Sequence, residues 1–469
     1  MGASGSDVGS HHPCPTVEKS VCHTIGVVSA SSGAGSWLGE AMRKLVVEKF
    51  SCIEKAEIDL SRLTVLIGPQ ASGKSVLSKL IFFFNDIMSS QYLWLEDGKP
   101  YSSFIAFLGD EFKTWFPPAA WGGYKFSIKY TSGPITFSIA RKGLKSKLTD
   151  DVTITITESF QELYEHGLRV SRSERFRVAE GADPEVAVER EYETFWRIRD
   201  SLESALARMV GDDYVISQTF VPAGRSFFTS IGKTIVAFDQ SGLLDPVTVK
   251  FGRLFTAYRD RWRSRTPSAR HMTADERDRH RSAMKLFFGG EIRRERDKDF
   301  VETPDGRRIP FHILSSGQQE LLPLWMVMSF MARKSSERRI VYIEEPEAHL
   351  FPTAQSRVVE YLTSLLSDSA PGRSMVITTH SPYVLSKLNN LLMAGTLGSS
   401  SKEKSLLVEA IVPKVAWIRP IHVRAYAISN GVVVSILDED GLIDANYLDA
   451  VSDDIGLEFA KLLELGGYR

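Results

Sequence analysis

The chain has 469 residues, of which 43% are hydrophobic and 25% are charged, as in an ordinary globular protein. Its 57 Lys and Arg residues nearly balance its 58 Asp and Glu residues, so overall charge gives no indication of nucleic-acid binding. Every apolar run is shorter than the roughly 20 residues that a membrane-spanning helix needs, and we expect no membrane segment. Three cysteines, Cys14, Cys22 and Cys52, are too few for a disulfide framework and favour a reducing, cytoplasmic location.

The N-terminal region changes character at Met42. Residues 1–41 are rich in Ser and Gly and show no sustained period, so we predict a disordered extension there. Whether Met42 is the natural start stays open. From Met42 onward, apolar residues at 45–47, 58–60 and 63–67 are separated by polar turns and predict three short strands.

The third strand runs directly into a glycine-rich loop, and a helix is predicted for residues 74–88. The loop fits the phosphate-binding pattern of Gly, four residues, Gly, Lys and Ser. Its members are Gly68, Pro69, Gln70, Ala71, Ser72, Gly73, Lys74 and Ser75. The glycines let backbone N–H groups surround phosphates, and the following helix points its positive end at them. Lys74 offers a charge to the β- and γ-phosphate oxygens, and Ser75 offers its hydroxyl to Mg²⁺.

A long segment of mixed character separates this loop from the next motifs. We interpret it as an inserted α+β or helical subdomain, residues 90–310, between an N-terminal core lobe, residues 42–89, and a C-terminal core lobe, residues 311–395. Patterns within the insertion predict strands at 124–130, 135–140 and 152–157 and a helix at 191–210.

Two polar residues of the insertion are candidates for a role beside the phosphate-binding loop. Gln218 lies at the end of a short predicted strand. Arg225 lies in the segment 221–228, where it could sense a phosphate, contact a second chain or form an ordinary salt bridge. The sequence does not decide among these three roles.

The later part of the insertion is strongly basic. Residues 253–298 hold 14 Lys and Arg residues against 7 Asp and Glu residues. Such a segment can bind a phosphate backbone without recognising its sequence. A solvated helix face of mixed charge is an equally good interpretation.

Three motifs follow in the C-terminal lobe. Residues 340–346 predict an apolar strand that ends in two carboxylates, at the sheet edge where α/β proteins bind ligands. We expect Glu344 to hold Mg²⁺ and Glu345 to orient or deprotonate the attacking water. A strand at 376–379 ends in His380, which is placed to contact a γ-phosphate. Earlier, a helix opens at residues 314–320, where Ser315 or Ser316 with Gly317 forms a second anion-binding start that is followed by Gln318.

Together, segments 68–75, 314–320, 340–346 and 378–381 resemble the Walker A, signature, Walker B and H-loop motifs of ABC ATPases. The string EEPEAHLFP at 344–352 is similar to the soluble branch that holds the Rad50, SMC, RecF and OLD-like ATPases. That branch includes ATPases of bacterial anti-phage systems. The resemblance implies an α/β P-loop NTPase fold, an ABC-ATPase head with a mixed sheet flanked by helices. It also implies ATP and Mg²⁺ as ligands and ATP hydrolysis as the activity, with Lys74, Glu345 and His380 as the catalytic residues. It further implies Gln218 as a candidate Q-loop residue and magnesium ligand.

The same resemblance implies a partner for this chain. In ABC heads the signature contacts ATP held by a different chain, so two copies arranged head to tail, or a higher homo-oligomer, complete the sites. Residues 348–350 then fall at the D-loop, which crosses the interface. The long coiled-coil arms of Rad50 and SMC proteins have no counterpart in the insertion, which favours a compact head.

The family resemblance favours an ATPase subunit of a bacterial anti-phage defence complex, of the PARIS or Septu type. Such a subunit senses a trigger and controls a separate effector, a nuclease or a toxin. A RecF-like ATPase of DNA repair and recombination stays open as an alternative. A transporter ATPase is disfavoured because Glu344 and Glu345 replace the usual Asp-Glu pair and because the insertion is too large.

The C-terminal region, residues 396–469, is predicted to hold a few strands and an acidic helical end. Residues 436–469 contain 9 acidic and 2 basic residues, and this end could dock on a partner or simply be solvated. The run Asp438, Glu439 and Asp440 invites comparison with a nuclease, because clustered carboxylates can hold metal ions. However, too few residues follow the H-loop to form the Toprim domain of OLD nucleases. We therefore expect no intrinsic nuclease.

Overall fold

The computed structural model describes most of the chain from residue 43 onward. The described residues are 43–91, 94–95, 97–144, 147–179, 184–211, 214–231, 244–264, 273–295, 298–332, 338–366, 372–444 and 457–462. The chain divides into two units, residues 1–36 and 37–469, and the described residues belong to the second. The predicted extension, residues 1–41, lies outside the described residues.

Eleven strands of the described residues form one mixed sheet. In chain order they are β1 (Arg43–Phe50), β2 (Ile53–Asp59), β3 (Leu63–Ile67), β4 (Ser127–Ser132), β5 (Ile135–Leu144), β6 (Lys147–Ile156), β7 (Ser217–Val221), β11 (Arg339–Glu344), β12 (Arg373–Thr379), β13 (Val423–Ser429) and β14 (Val432–Ser435). A second sheet has three strands, β8 (Glu291–Glu295), β9 (Lys298–Glu302) and β10 (Arg308–Pro310). The spatial order of the large sheet is β6-β5-β4-β1-β2-β14-β13-β3-β12-β11-β7. Strands β13, β3, β12, β11 and β7 are parallel neighbours, whereas β6, β5, β4, β1 and β2 are antiparallel.

Helices flank the large sheet. They are α1 (Lys74–Ser90), α2 (Tyr101–Trp115), α3 (Glu158–Ala179), α4 (Pro184–Val210), α5 (Ser226–Ile231), α6 (Pro246–Ser264), α7 (Ala274–Phe288), α8 (Ser316–Met331), α9 (Pro352–Ser364), α10 (Pro382–Gly398) and α11 (Lys402–Glu409). Short 3₁₀ turns occur at Pro118–Ala120, Phe311–Ile313, Lys414–Ala416 and Pro420–His422. The predicted α/β fold with a mixed sheet flanked by helices is therefore confirmed.

Alternating side chains of the central strands feed two hydrophobic cores, one on each face of the sheet. In β11, Ile340 and Tyr342 belong to the core that contains α1, whereas Val341 and Ile343 belong to the core that contains α8, α9 and α10. Every residue of β3 is buried. This pattern is typical of a parallel sheet covered by helices on both faces, where each strand reads as a continuous apolar run.

Four strands of the insertion belong to the large sheet. Strands β4, β5 and β6 extend the large sheet beyond β1, and β7 pairs with β11 inside it. The buried Asn85 of α1 donates to the Tyr342 hydroxyl (2.9 Å) and accepts from the Tyr130 hydroxyl (3.0 Å), so it joins the insertion strand β4 to β11. Three of the strands predicted within residues 90–310 correspond to β4, β5 and β6, and the domain boundaries at 90 and 310 stay a prediction. Strand pairing depends on distant partners, which local patterns do not reveal.

The C-terminal strands also belong to the core. Strand β13 lies parallel to β3, opposite β12, so the strand that leads into the glycine-rich loop has a neighbour from late in the chain on each side. Beyond β14, Asp438 accepts backbone N–H bonds from Asp440 (3.0 Å) and Leu442 (2.8 Å). Its carboxylate therefore stabilises a turn, which is a common role for Asp in loops.

Candidate functional site

The glycine-rich loop joins the carboxyl end of β3 to the amino end of α1. Gly73 is the N-cap of α1 with φ of 101°, a conformation that L side chains rarely adopt. A Cβ at this position would lie 2.4 Å from Ile53 Cδ1, so the neighbouring β1–β2 turn also requires glycine here. No side chain caps the start of α1. Its N–H groups are thus available to an anion, as the sequence predicts.

Lys74 is held inside the loop. Its ammonium donates to the carbonyl oxygens of Gly68 and Pro69, both at 2.8 Å, and lies 3.4 Å from Ser72 Oγ. Burial lowers the pKa of Lys74 from its usual value, while the charges of nearby glutamates oppose that shift. A buried ammonium held by neutral acceptors is well placed to bind phosphate.

Three strand ends bring the predicted residues to one edge of the sheet. Thr378 of β12 pairs with Glu344 of β11 on one side and with Leu66 of β3 on the other. His380, Glu345 and Gly68 therefore follow neighbouring strands at the same carboxyl edge. This is where ligands bind in open α/β sheets.

His380 bridges Lys74 and Glu345. Its Nδ1 lies 3.4 Å from Lys74 Nζ, and its Nε2 lies 2.9 Å from Glu345 Oε1. Because an ammonium can only donate, Nδ1 accepts and the ring hydrogen is assigned to Nε2, which donates to Glu345. The structure thus brings together the three residues predicted to be catalytic.

Glu344 has the arrangement expected of a magnesium ligand. The residue is 6% exposed, and its Oε2 accepts from the backbone N–H of Ala223 at 3.2 Å. Its Oε1 is buried without a hydrogen-bond partner. A buried carboxylate oxygen with no donor is costly unless a cation or water satisfies it. Ser75 is exposed at the start of α1 and can supply a hydroxyl, so the residues present fit Mg²⁺.

Glu347 is a residue of the site that the sequence analysis missed. Its buried carboxylate accepts from the backbone N–H of His380 (2.8 Å) and from the Thr379 hydroxyl (2.6 Å) through the same oxygen, Oε1. It therefore fixes the backbone that carries the His380 ring. The third acidic residue after the strand was the available signal, but its partners lie 32 and 33 positions away.

The signature segment forms the start of α8, as predicted. Ser315 is its N-cap, and Ser315 and Gln318 form a reciprocal capping box. These two side chains are therefore engaged with one another and with their own helix. Ser316 is exposed, so its hydroxyl is the one available to a ligand. Gly317 is buried, and a Cβ there would lie 2.7 Å from the carbonyl oxygen of His349, so the predicted D-loop packs directly on the signature.

The structure does not place Gln218 in the site. Gln218 pairs with Ile340, four residues before Glu344 along β11, which puts it about 13 Å from that end of the strand. Its side-chain nitrogen donates to the carbonyl oxygen of Phe82 and to Asp86. Gln218 therefore lies away from Glu344 in this structure, and its role as a magnesium ligand stays a prediction.

Arg225 is fully buried. It forms an ion pair with Glu320 of α8, with 3.5 Å between Nε and Oε2. Of the three roles that the sequence left open, the structure therefore favours the salt bridge.

The basic segment 253–298 is partly neutralised by its own neighbours. Arg259 and Arg294 pair with Asp299, and Arg293 and Lys285 pair with Glu291. Residues 265–272 and 296–297 of this segment, and most of the acidic end, lie outside the described residues. None of the helices in the described ranges is both long enough and apolar enough to cross a membrane.

Solved structures that match the chain include SMC head domains. The SMC head domain from Thermotoga maritima is 14% identical, with 84% of this chain and 97% of that chain covered and a TM-score of 0.33. An SMC head bound to the C-winged helix domain of ScpA is 16% identical, with 87% and 98% covered and a TM-score of 0.37. An SMC head with an extended coiled coil, bound to the C-terminal domain of ScpA derived from Pyrococcus furiosus, is 12% identical, with 87% and 98% covered and a TM-score of 0.32.

No curated protein matches the sequence. A family model does: residues 63–386 match the family described as "AAA domain, putative AbiEii toxin, Type IV TA system". The matched range begins with β3 and ends within α10, so it contains the glycine-rich loop, the signature, the two carboxylates and His380. The chain belongs to this family of AAA-domain proteins.

Proposed function

We propose that this protein binds ATP with Mg²⁺, hydrolyses ATP and works as a pair of ABC-type heads. The observation that carries the proposal is the continuous set of contacts from Lys74 through His380 to Glu345, at the end of three neighbouring strands. A phosphate-binding lysine and a carboxylate next to it are the groups that phosphoryl transfer to water requires.

Each residue has a defined role in this proposal. Lys74 exchanges its bonds to the loop carbonyls for bonds to β- and γ-phosphate oxygens. Glu345 orients the attacking water and accepts its proton, and His380 holds the Glu345 carboxylate through its Nε2 hydrogen. Ser75 and Glu344 hold Mg²⁺, which neutralises charge on the phosphates when it is bound. Glu347 keeps His380 in place.

Pairing of two chains follows from the position of the signature. Within the described ranges no hydrogen bond joins residues 315–318 to the glycine-rich loop, and Ser316 is exposed. We therefore assign Ser316 and the N–H groups beside it to the γ-phosphate of ATP bound by the partner copy. ATP then links the two heads, and its hydrolysis separates them.

We place this ATPase in the cytoplasm, in a bacterial anti-phage defence complex, where it senses a trigger and controls a separate nuclease or toxin. The family description, which includes a toxin–antitoxin system, supports this placement. We assign no nuclease activity to this chain. Nucleic-acid contact through 253–298 has weaker support, because several of its cations already form ion pairs.

Two measurements test the proposal. The first is Mg²⁺-dependent phosphate release by the purified chain, with its molar mass determined by light scattering in ATP and in ADP. We expect turnover, and a dimer that forms with ATP; absence of ATP binding would contradict the core of the proposal.

The second measurement is co-purification from the native operon followed by mass spectrometry. A nuclease or toxin supports the defence role, whereas repair proteins or a permease would replace it.

A further inference from the structure

Arg225 makes an unusual set of backbone contacts for an arginine. It lies in the loop between β7 and α5 and is 0% exposed. Its Nη1 donates to the carbonyl oxygen of Glu344 (2.6 Å), and its Nη2 donates to the carbonyl oxygen of Glu345 (2.9 Å). The planar guanidinium thus spans the two consecutive peptide groups that carry the proposed magnesium ligand and the proposed catalytic carboxylate. Only a rigid fork of donors can do this.

Glu320 holds the other side of the guanidinium. Arg225 Nε donates to the Glu320 carbonyl oxygen (3.0 Å), and the Glu320 carboxylate accepts the backbone N–H groups of Arg225 (2.8 Å) and Ser226 (3.0 Å). Glu320 is 2% exposed and lies in the first turns of α8, whose start is the signature. The charge of Arg225 is therefore compensated, and its position is determined by bonds on both sides.

Glu345 needs such support because its backbone is strained. Its φ is 44°, a value that a residue other than glycine rarely adopts. Its N–H donates to the Thr378 carbonyl oxygen at 2.8 Å, and its own carbonyl oxygen accepts from Arg225. The two peptide groups that flank the strained residue are thus held from opposite sides. Loss of Arg225 removes the donors to the Glu344 and Glu345 carbonyl oxygens, so the positive-φ backbone loses a restraint.

We propose that Arg225 is a positioning residue: it fixes the strained backbone of Glu345, and that backbone aims the catalytic carboxylate at His380. This inference rests on the proposed ATPase function of the site. Arg225 contributes to turnover without touching ATP, and it does so through Glu345 alone.

The test compares Arg225→Lys with the wild-type chain. Lysine keeps the positive charge but is a single point donor, which cannot span both carbonyl oxygens and Glu320. We expect kcat to fall about 100-fold, the loss typical of a catalytic group misplaced by about 1 Å. We expect ATP affinity, measured with a fluorescent nucleotide, to stay within about twofold, because Lys74 and its loop are unchanged.

Arg373→Lys is the matched control. Arg373 is also buried, at 8% exposed, and it donates to the Leu365 carbonyl oxygen. However, it is the first residue of β12, so it lies at the amino end of the strand, whereas His380 follows the carboxyl end. The same substitution there should leave kcat at the wild-type value. A wild-type kcat for folded Arg225→Lys overturns the proposal, as does an equal loss in Arg373→Lys.

A double variant distinguishes positioning from general stability. If Arg225 acts only through Glu345, Arg225→Lys adds no further loss of kcat to Glu345→Gln. Losses that multiply overturn the proposal. A wild-type chain that binds ATP but shows no turnover would instead contradict the proposed function.

A second variant covers the case in which Arg225→Lys does not fold. Arg225→Met combined with Glu320→Met removes the fork without leaving a buried charge, a type of exchange that proteins often tolerate. We expect this variant to fold and to show the same loss of kcat with ATP binding retained. Unfolding of both variants would assign Arg225 to the stability of the fold and overturn the positioning role.

Discussion

The starts of α1 and α8 are the two helix ends proposed to meet the same nucleotide, and they are built differently. The start of α1 follows Gly73 and has no side-chain cap. The start of α8 follows Ser315, whose hydroxyl accepts from the Gln318 N–H while the Gln318 side chain accepts from the Ser315 N–H. One helix start is left open and the other is capped by its own residues.

The difference indicates how binding is divided between two chains. An uncapped start leaves backbone N–H groups that gain most from a phosphate, so α1 and Lys74 can bind ATP within one chain. A capped start is stable without a ligand, so α8 can keep its shape until a partner's nucleotide arrives. Affinity for ATP should therefore depend on the α1 side, and pairing should depend on the α8 side.

The largest expected effect is a loss of ATP turnover in Glu345→Gln. Because ATP would stay bound, the starts of α1 and α8 would remain on the same nucleotide. Glu345→Gln should lower ATP turnover about 100- to 10,000-fold, the usual contribution of a positioned acid–base group, and ATP binding should persist. Paired heads should then accumulate, as measured by light scattering with ATP. The control Glu48→Gln changes an exposed carboxylate on β1 and should leave turnover unchanged. Normal turnover by Glu345→Gln would remove this residue from its assigned role.

Removal of the lysine tests the α1 side alone. Lys74→Ala should weaken ATP binding about 10- to 150-fold, because charge-assisted hydrogen bonds to phosphate are worth about 1.5–3 kcal/mol. Isothermal titration gives the affinity directly. Lys79→Ala, on the same helix, removes a lysine that pairs with Asp245 and should bind ATP normally. Equal affinity in the Lys74 and Lys79 variants would contradict the assignment of the loop.

A change at the signature tests the α8 side. Ser316→Ala should leave the ATP affinity of the single chain unchanged and weaken ATP-dependent pairing about 100-fold, because the dimer loses one charge-assisted hydrogen bond of about 1.5 kcal/mol at each of its two sites. Sedimentation at several protein concentrations measures the pairing. Ser386→Ala, at an exposed position of α10, serves as the control. Weaker binding by the single chain would show that α8 serves its own site.

The smallest effect concerns the cap itself. Ser315→Ala should lower the free energy of unfolding by about 1 kcal/mol, the typical cost of a lost N-cap. Urea unfolding measures this change. Ser401→Ala removes the N-cap of α11, whose hydroxyl accepts from the Lys404 N–H at 3.2 Å, and should cost a similar amount. A Ser315 variant as stable as the wild type would mean that the capping box does not stabilise α8.

Local sequence patterns predicted the parts of the site that a few neighbouring residues determine. The strand before Gly68, the helix after Lys74 and the strand before His380 all follow from hydrophobic runs next to turn residues. The strands of the insertion were found in the same way. Their place in the large sheet was not, because it depends on pairing with β1.

Contacts between distant residues explain the rest. The register of β7 against β11 sets the distance between Gln218 and Glu344, and the residues next to Gln218 in sequence do not reveal that register. Glu347 and Arg225 were missed or left open because their partners lie 32 to 120 positions away. A buried arginine and an arginine at a protein interface look the same in one sequence. The positive φ of Glu345 has no local signal at all.

The position of β3 between β12 and β13 has a consequence for the order in which the protein folds. Strand β3 ends at Ile67, but its two sheet neighbours are Arg373–Thr379 and Val423–Ser429. A ribosome must therefore add more than 300 further residues before the strand behind the glycine-rich loop gains both neighbours. Contacts so far apart in sequence form slowly. The nucleotide site is encoded early, but the strand behind it gains its second neighbour only after residues 423–427 have been synthesised.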